Sequence, residues 1–192
     1  MSGPLLALYI GWSVWAVLWI VTSRWSARTE RRAGGRQNVI YQLVSVAGML
    51  ALLIVTRPTG PLSTPLWQLE AAISWALVGL MAAGFALACW ARVTLGKLWS
   101  AGVERKAEHR LIENGPYAMV RHPIYTGLIA AAVALALVKA TPLALIGLAL
   151  TTIGFFVKAR LEERFLAAEL GEANYAEYRR RVPMLLPFLP AP

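Results

Sequence analysis

The 192-residue chain is 58% hydrophobic and only 15% charged, with a mean hydropathy of +0.55. A soluble domain carries about 25% charged residues, so this composition excludes a single water-soluble core and points to a bilayer-embedded bundle. The net charge of +9 would suit a nucleic-acid partner in a soluble protein. Here the cations sit in short segments between apolar runs, so they read as orientation signal and lipid-headgroup contact, with no nucleic acid as partner.

The first apolar run, about Pro4 to Thr22, places Trp12, Trp15 and Trp19 at helical spacing, facing lipid or another helix. It has no basic segment ahead of it and no small-residue cleavage site after it, and reads as a retained helix. Residues 23–37 are polar and carry five arginines against Glu30. A second helix is expected over about Val39 to Thr56. A Pro- and Gly-rich link follows, then a third helix over about Leu66 to Trp90, in which Ala82, Ala83 and Gly84 permit close helix approach. Cys89 lies in this run. As the only cysteine it excludes an internal disulfide, and it reads as a small packing residue.

Residues 91–122 are polar and mixed in charge; His109, between Glu108 and Arg110, reads as solvated. Two further apolar segments, about Pro123 to Val138 and Leu143 to Val157, are separated only by Lys139-Ala-Thr-Pro142 and should form an antiparallel hairpin. Each is shorter than the ~20 residues a crossing needs, so the hairpin either extends into its flanks or is partly re-entrant. From Lys158 the chain is a polar amphipathic tail that ends Pro-rich. The expected fold is an all-α integral membrane protein of about five transmembrane helices. It forms one domain over 1–192, with a three-helix part (1–92) and a C-terminal part (93–192).

With five spans, the 23–37 segment, the 91–122 segment and the tail share one side. That side holds every Lys and Arg except Arg57 and Lys139 of the 19 present. The positive-inside rule makes it cytoplasmic, with the N-terminus outside and the C-terminus inside, in what reads as a prokaryotic inner (plasma) membrane.

Chemically capable residues concentrate in two places. One is Gly115-Pro-Tyr-Ala-Met-Val-Arg-His-Pro-Ile-Tyr-Thr-Gly127; the other is Arg160-Leu-Glu-Glu163 with Tyr175, Tyr178 and Arg179 to Arg181. The short turn between the hairpin arms brings these clusters together on the cytoplasmic side. Each piece taken singly is compatible with an ordinary interfacial helix end, including Pro123 in a first helical turn. Two charged clusters folded onto one pocket at membrane depth point instead to function.

Gly115-Pro-Tyr117, Arg121-His122-Pro123-x-Tyr125-x-Gly127, Glu162-Glu163, Tyr175-x-x-Tyr178 and Arg181-Val182-Pro183 occur in the order found in the isoprenylcysteine carboxyl methyltransferase family, which this chain resembles over roughly its last 80 residues. Related phospholipid N-methyltransferases are similar. The resemblance implies S-adenosylmethionine as cofactor and S-adenosylhomocysteine as product. It implies cofactor contacts from Tyr117, Arg121, His122, Pro123, Tyr125, Glu162 and Glu163, with Arg121 suited to the cofactor carboxylate and the glutamates to ribose hydroxyls or the ammonium. Which glutamate makes that contact stays open. Tyr175, Tyr178 and Arg181 are implied for the acceptor, and Arg181 and Glu163 as the catalytic groups. The acceptor would be a lipophilic or prenylated molecule entering sideways from the membrane lipids. A carboxylate acceptor is already ionised and needs no general base, whereas an amine would need a glutamate to take its proton. The eukaryotic relatives methylate prenylated proteins and have more spans, so a different prenyl, fatty or small lipophilic acceptor also fits.

Three other classes fit some of the features. Some NADPH-dependent sterol and lipid reductases carry a similar Arg-His-Pro-x-Tyr-x-Gly element. A haem-binding membrane isomerase would use His122 or His109 as ligand. A non-enzymatic scaffold would bind no small molecule at Arg121 or Glu163.

Overall fold

The computed structural model describes residues 2–22, 29–32, 36–55, 59–99, 104–106 and 111–187. Five apolar helices carry the fold: α1 (Gly3–Thr22), α2 (Arg36–Leu53), α3 (Ala71–Leu95), α4 (Pro123–Lys139) and α5 (Pro142–Leu170). A sixth, polar helix, α6 (Glu172–Arg181), follows α5 directly. The protein is an all-α membrane protein. α1, α3 and α5 are long and apolar enough to cross a bilayer, while α2 and α4 are shorter apolar helices.

Three sequence expectations are corrected. The third helix starts at Ala71, not Leu66, and runs on to Leu95. The second hairpin arm does not end near Val157 but continues to Leu170, giving a 29-residue helix. Its polar extension is rich in Leu, Ala, Glu and Arg, which are strong helix formers, so the helix outlasts its apolar stretch. Cys89 is exposed on the outer face of α3 and is not a packing residue.

One feature lies outside the helical reading. The polar segments after α1 and after α3 contribute short strands β1 (Thr29–Arg32) and β2 (Glu104–Lys106), paired antiparallel with Thr29 opposite Lys106 and Arg32 opposite Glu104. These two segments therefore meet. His109 lies outside the described residues.

α2 lies along α5, and α3 along α4. Both seams close through glycine. A Cβ on Gly147 would stand 2.6 Å from the Leu52 amide nitrogen and 2.8 Å from Gly48 O, and one on Gly127 would overlap Gly84 O. Small residues let the backbones touch, and van der Waals packing drives helix association where lipid removes the hydrophobic incentive. Ala88, Ala131, Ala132, Ala134 and Ala136 extend this tight packing. The tryptophans of α1 face a helix and not only lipid: Trp12 and Trp15 pack on Phe85, and Trp19 meets Trp99.

The hairpin corner is well fastened. Ala140 takes a left-handed conformation (φ 54°), Thr141 Oγ1 accepts from the Ala144 amide at 3.2 Å, and Pro142 opens α5. Lys139 Nζ donates to Leu52 O and Ile54 O at 2.7 and 2.8 Å, supplying a cation to the C-terminal carbonyls of α2. The fixed corner sets the register of α4 against α5 and so places the far ends of both helices together.

A buried charge network at the base of the hairpin

Arg121 and His122 immediately precede α4, and Pro123 holds His122 out of helical conformation (φ −126°, ψ 62°). A single turn of 3-10 helix, Gly115–Ala118, leads into them, entered through Gly115 at φ 59°. Across the hairpin, Glu162 and Glu163 sit on α5, five and six residues past Val157. Arg121 Nε donates to Glu163 Oε1 at 2.7 Å, with side-chain exposures of 1% and 4%. His122 Nε2 lies 3.2 Å from the same oxygen; a carboxylate only accepts, so that nitrogen carries the proton. The other imidazole nitrogen stands 3.6 Å from Glu162 Oε2.

Adjacent residues on a helix point about 100° apart, and the two glutamates accordingly have different surroundings. Glu163 is buried and held by Arg121 and His122. Glu162 keeps 19% of its side chain exposed, accepts from Tyr125 Oη at 2.6 Å and has Lys158 Nζ at 3.8 Å. Tyr125 is three residues beyond His122 on α4, and the rings of His122, Tyr125 and Phe155 form a stacked column with centroids 5.5 and 5.2 Å apart.

The guanidinium of Arg121 is further occupied by main chain: its Nη1 donates to Arg179 O at 3.1 Å and to Val182 O. The segment after α6 runs back along the start of α4, where Arg121 N donates to Pro183 O, His122 N to Met184 O and Thr126 Oγ1 to Leu185 O. Arg-His-Pro and Arg-Val-Pro are thus joined by backbone hydrogen bonds. Tyr175 and Tyr178 form the buried face of α6, packed on Leu111, Leu166 and Ala167, and Tyr178 Oη donates to Tyr117 O at 2.7 Å. Burial pushes the phenols of Tyr117, Tyr175 and Tyr178 well up, which keeps them neutral.

The structure therefore brings Tyr117, Arg121, His122, Pro123, Tyr125, Glu162, Glu163, Tyr175 and Tyr178 into one assembly. Arg181 is not part of it: its side chain is 56% exposed and pairs with Glu113 Oε2 at 2.7 Å. Sequence reasoning missed Glu113 and the role of Arg179, whose Nε lies 3.7 Å from Glu163 Oε2. Pairing of Lys158 with Glu162, four residues apart on one helix, is readable from the sequence and is present.

A helical membrane protein with a buried carboxylate–guanidinium–imidazole cluster at the polar end of a hairpin is the class this fold and site define. Residues 77–168 match the model of the isoprenylcysteine carboxyl methyltransferase (ICMT) family. The match takes in both halves of the cluster and stops before α6. The chain is 34% identical over 86 residues to protein-S-isoprenylcysteine O-methyltransferase of Xenopus laevis, covering 45% of this chain and 30% of that protein. It is 34% identical over 162 residues to methanethiol S-methyltransferase 2 of Bradyrhizobium diazoefficiens, covering 80% and 60%. A protein-S-isoprenylcysteine O-methyltransferase B of Arabidopsis thaliana is 32% identical over 88 residues, covering 45% and 44%. The chain thus spans less than two thirds of the length of each of these relatives.

Proposed function

We propose that the protein is an S-adenosylmethionine-dependent membrane methyltransferase acting on a lipophilic acceptor at a carboxylate, with its site on the cytoplasmic side. The observation that carries this reading is the arrangement of His122, Tyr125 and Lys158 around the partly accessible carboxylate of Glu162, within the family-matched region. The cofactor presents a carboxylate, an ammonium and a ribose diol, and this set offers a cation, two N–H or O–H donors and an acidic acceptor. The residues present fit it, with one change from the sequence expectation. Arg121 is committed to Glu163 and to two carbonyls, so its part is to position, while Glu162 is the glutamate for the ribose or ammonium and Lys158 or His122 the donor for the carboxylate.

When bound, the cofactor supplies a methyl group on a sulfonium, ready for in-line displacement. The protein's contribution is to orient the acceptor and keep water out. The aromatic column and the buried tyrosines furnish a dry wall. An acceptor carboxylate needs no base; Arg181 holds it by exchanging its Glu113 partner for the incoming anion. The acceptor reaches the site from the bilayer between helices, and the 17 cations on the site's side of the membrane support a cytoplasmic orientation.

A second reading has one observation in its favour. Similarity to the methanethiol S-methyltransferase extends over 80% of this chain, against 45% for the Xenopus O-methyltransferase. A thiol acceptor must lose a proton, and Glu162 is the group in reach of that task. Calorimetry with S-adenosylmethionine and S-adenosylhomocysteine on detergent-purified protein tests the cofactor. Methyl transfer to a prenylcysteine analogue with a free carboxylate, or to methanethiol, tests the acceptor. Absence of saturable cofactor binding by folded wild-type protein sinks both readings.

A further inference from the structure

A cleft of about 410 Å³ opens between the last turns of α5 and α6, lined by Arg160, Glu163, Arg164, Ala167, Gly171 and Arg179 among others. The elbow that shapes it is Gly171, whose φ of 93° a side chain would strain. Its charge balance is one-sided. Glu163 is neutralised by Arg121 at 2.7 Å, which leaves Arg160, Arg164 and Arg179 against Glu172 alone. Arg179 reaches Glu163 only at 3.7 Å, and no carboxylate among the described residues pairs with Arg160 or Arg164. Arg160 instead lies over the ring of Phe156, 5.3 Å from its centroid.

Depth supplies the second half of the case. The apolar stretch of α5 ends at Val157, and Arg160 and Arg164 follow three and seven residues later. At 1.5 Å per residue they stand roughly 4.5 and 10 Å beyond it along the axis, Arg160 within the headgroup layer, about 5–7 Å deep on each side, and Arg164 at its outer edge. Planar guanidinium forks take phosphate in two-point contact, and a partly enclosed cleft strengthens that attraction over open surface.

We propose that this cleft is a binding site for the phosphate of an anionic phospholipid headgroup, held by Arg160, Arg164 and Arg179. Because Arg179 belongs to α6 and Arg160 and Arg164 to α5, a bound phosphate ties the two helices together. It does so beside the carbonyls of Arg179 and Val182 that receive Arg121. Anionic lipid thereby steadies the C-terminal segment against the hairpin.

The test is native mass spectrometry of the detergent-solubilised full chain with phosphatidylglycerol, phosphatidylcholine or inorganic phosphate added, comparing wild type with Arg160→Gln/Arg164→Gln. Both arginines are exposed, so the variant should fold. Wild type should retain phosphatidylglycerol over phosphatidylcholine, and the double variant should lose roughly thirtyfold in retention, the factor two surface arginines contribute to anionic-lipid attraction. Arg160→Lys/Arg164→Lys should fall between, since charge is kept and the fork is lost. Equal retention by wild type and the glutamine variant overturns the proposal. Equal competition by inorganic phosphate overturns the lipid source. Displacement of S-adenosylhomocysteine by the lipid would make the cleft part of the cofactor site and overturn it too. Failure of wild type to bind the cofactor leaves this proposal standing and sinks only the methyltransferase reading.

Discussion

Glu163 Oε1 lies 2.7 Å from Arg121 Nε, both side chains almost fully buried, and the same guanidinium reaches the carbonyls of Arg179 and Val182. One side chain thus joins the start of α4, the C-terminal third of α5 and the end of α6. Removing one partner of a buried pair strands the other charge, at a cost of about 3–5 kcal/mol. Arg121→Ala should therefore lower the thermal midpoint of the detergent-solubilised protein strongly. Arg181→Ala breaks an exposed pair worth up to about 1 kcal/mol and should leave the midpoint nearly unchanged. Equal midpoints for both variants would remove Arg121 from its joining role.

The two glutamates should separate by phenotype. Glu163→Gln cuts a buried ion pair and should reduce stability first, with cofactor affinity following. Glu162→Gln alters a carboxylate that is 19% exposed, and should leave the melting curve close to wild type while weakening S-adenosylhomocysteine binding by about tenfold, the value of one charge-assisted hydrogen bond. Calorimetry on the two variants decides it, and wild-type affinity in Glu162→Gln would exclude that residue from the cofactor.

The helical hairpin and the meeting of its two charged clusters were legible in the sequence because Lys139-Ala-Thr-Pro142 is too short for any other path. Other features were not, for identifiable reasons. The extension of α5 past Val157 changes hydropathy without changing helix propensity, so an apolar window ends where the helix does not. The strands Thr29–Arg32 and Glu104–Lys106 are all polar and show no apolar alternation. The pairing of Arg121 and His122 with Pro183 and Met184 is made by main chain, which leaves no trace in side-chain pattern. For the same reason the sequence does not show that Nε and Nη1 of Arg121 are taken by Glu163 and by two carbonyls.

Gly127 belongs to the Arg-His-Pro motif, yet its surroundings give it a packing role. A Cβ there overlaps Gly84 O and lies 3.2 Å from the Ala88 amide nitrogen, both backbone atoms that cannot swing away. Gly127→Ala should cost about 1–3 kcal/mol as overpacking and shift α4 against α3. Gly79→Ala on α3 meets nothing within 4 Å and should be neutral or stabilising, by up to about 1 kcal/mol of helix propensity. Thermal unfolding of the pair tests this, and a harmless Gly127→Ala would show that the seam yields.

Alkaline pH should loosen α6. Burial raises the phenols of Tyr175 and Tyr178 above their usual values. An acid whose folded pKa is raised contributes stability that is whole below the unfolded value, about 10, and is lost as pH climbs toward the folded one. Stability should therefore hold through neutral pH and decline above about 10. Phenolate absorbance from these residues should appear together with loss of α6. Tyr178→Phe removes the hydrogen bond to Tyr117 O and one of the two titrating groups, so it should lower stability at neutral pH and flatten the alkaline slope. An unchanged slope would assign the alkaline transition elsewhere.

Glu113 holds Arg181 at 2.7 Å on the surface, and an anionic acceptor that uses Arg181 must displace it. Glu113→Gln removes the competing charge while keeping a polar partner. If a carboxylate acceptor is recognised by Arg181, the substitution should lower KM for that acceptor severalfold and leave cofactor affinity alone, since Glu113 is remote from Glu162 in the network. A thiol acceptor carries no anion before deprotonation and gains nothing from a freed guanidinium, so its KM should not move. The same variant therefore discriminates the two acceptor chemistries, and a KM unchanged for the prenylcysteine analogue would take Arg181 out of acceptor binding.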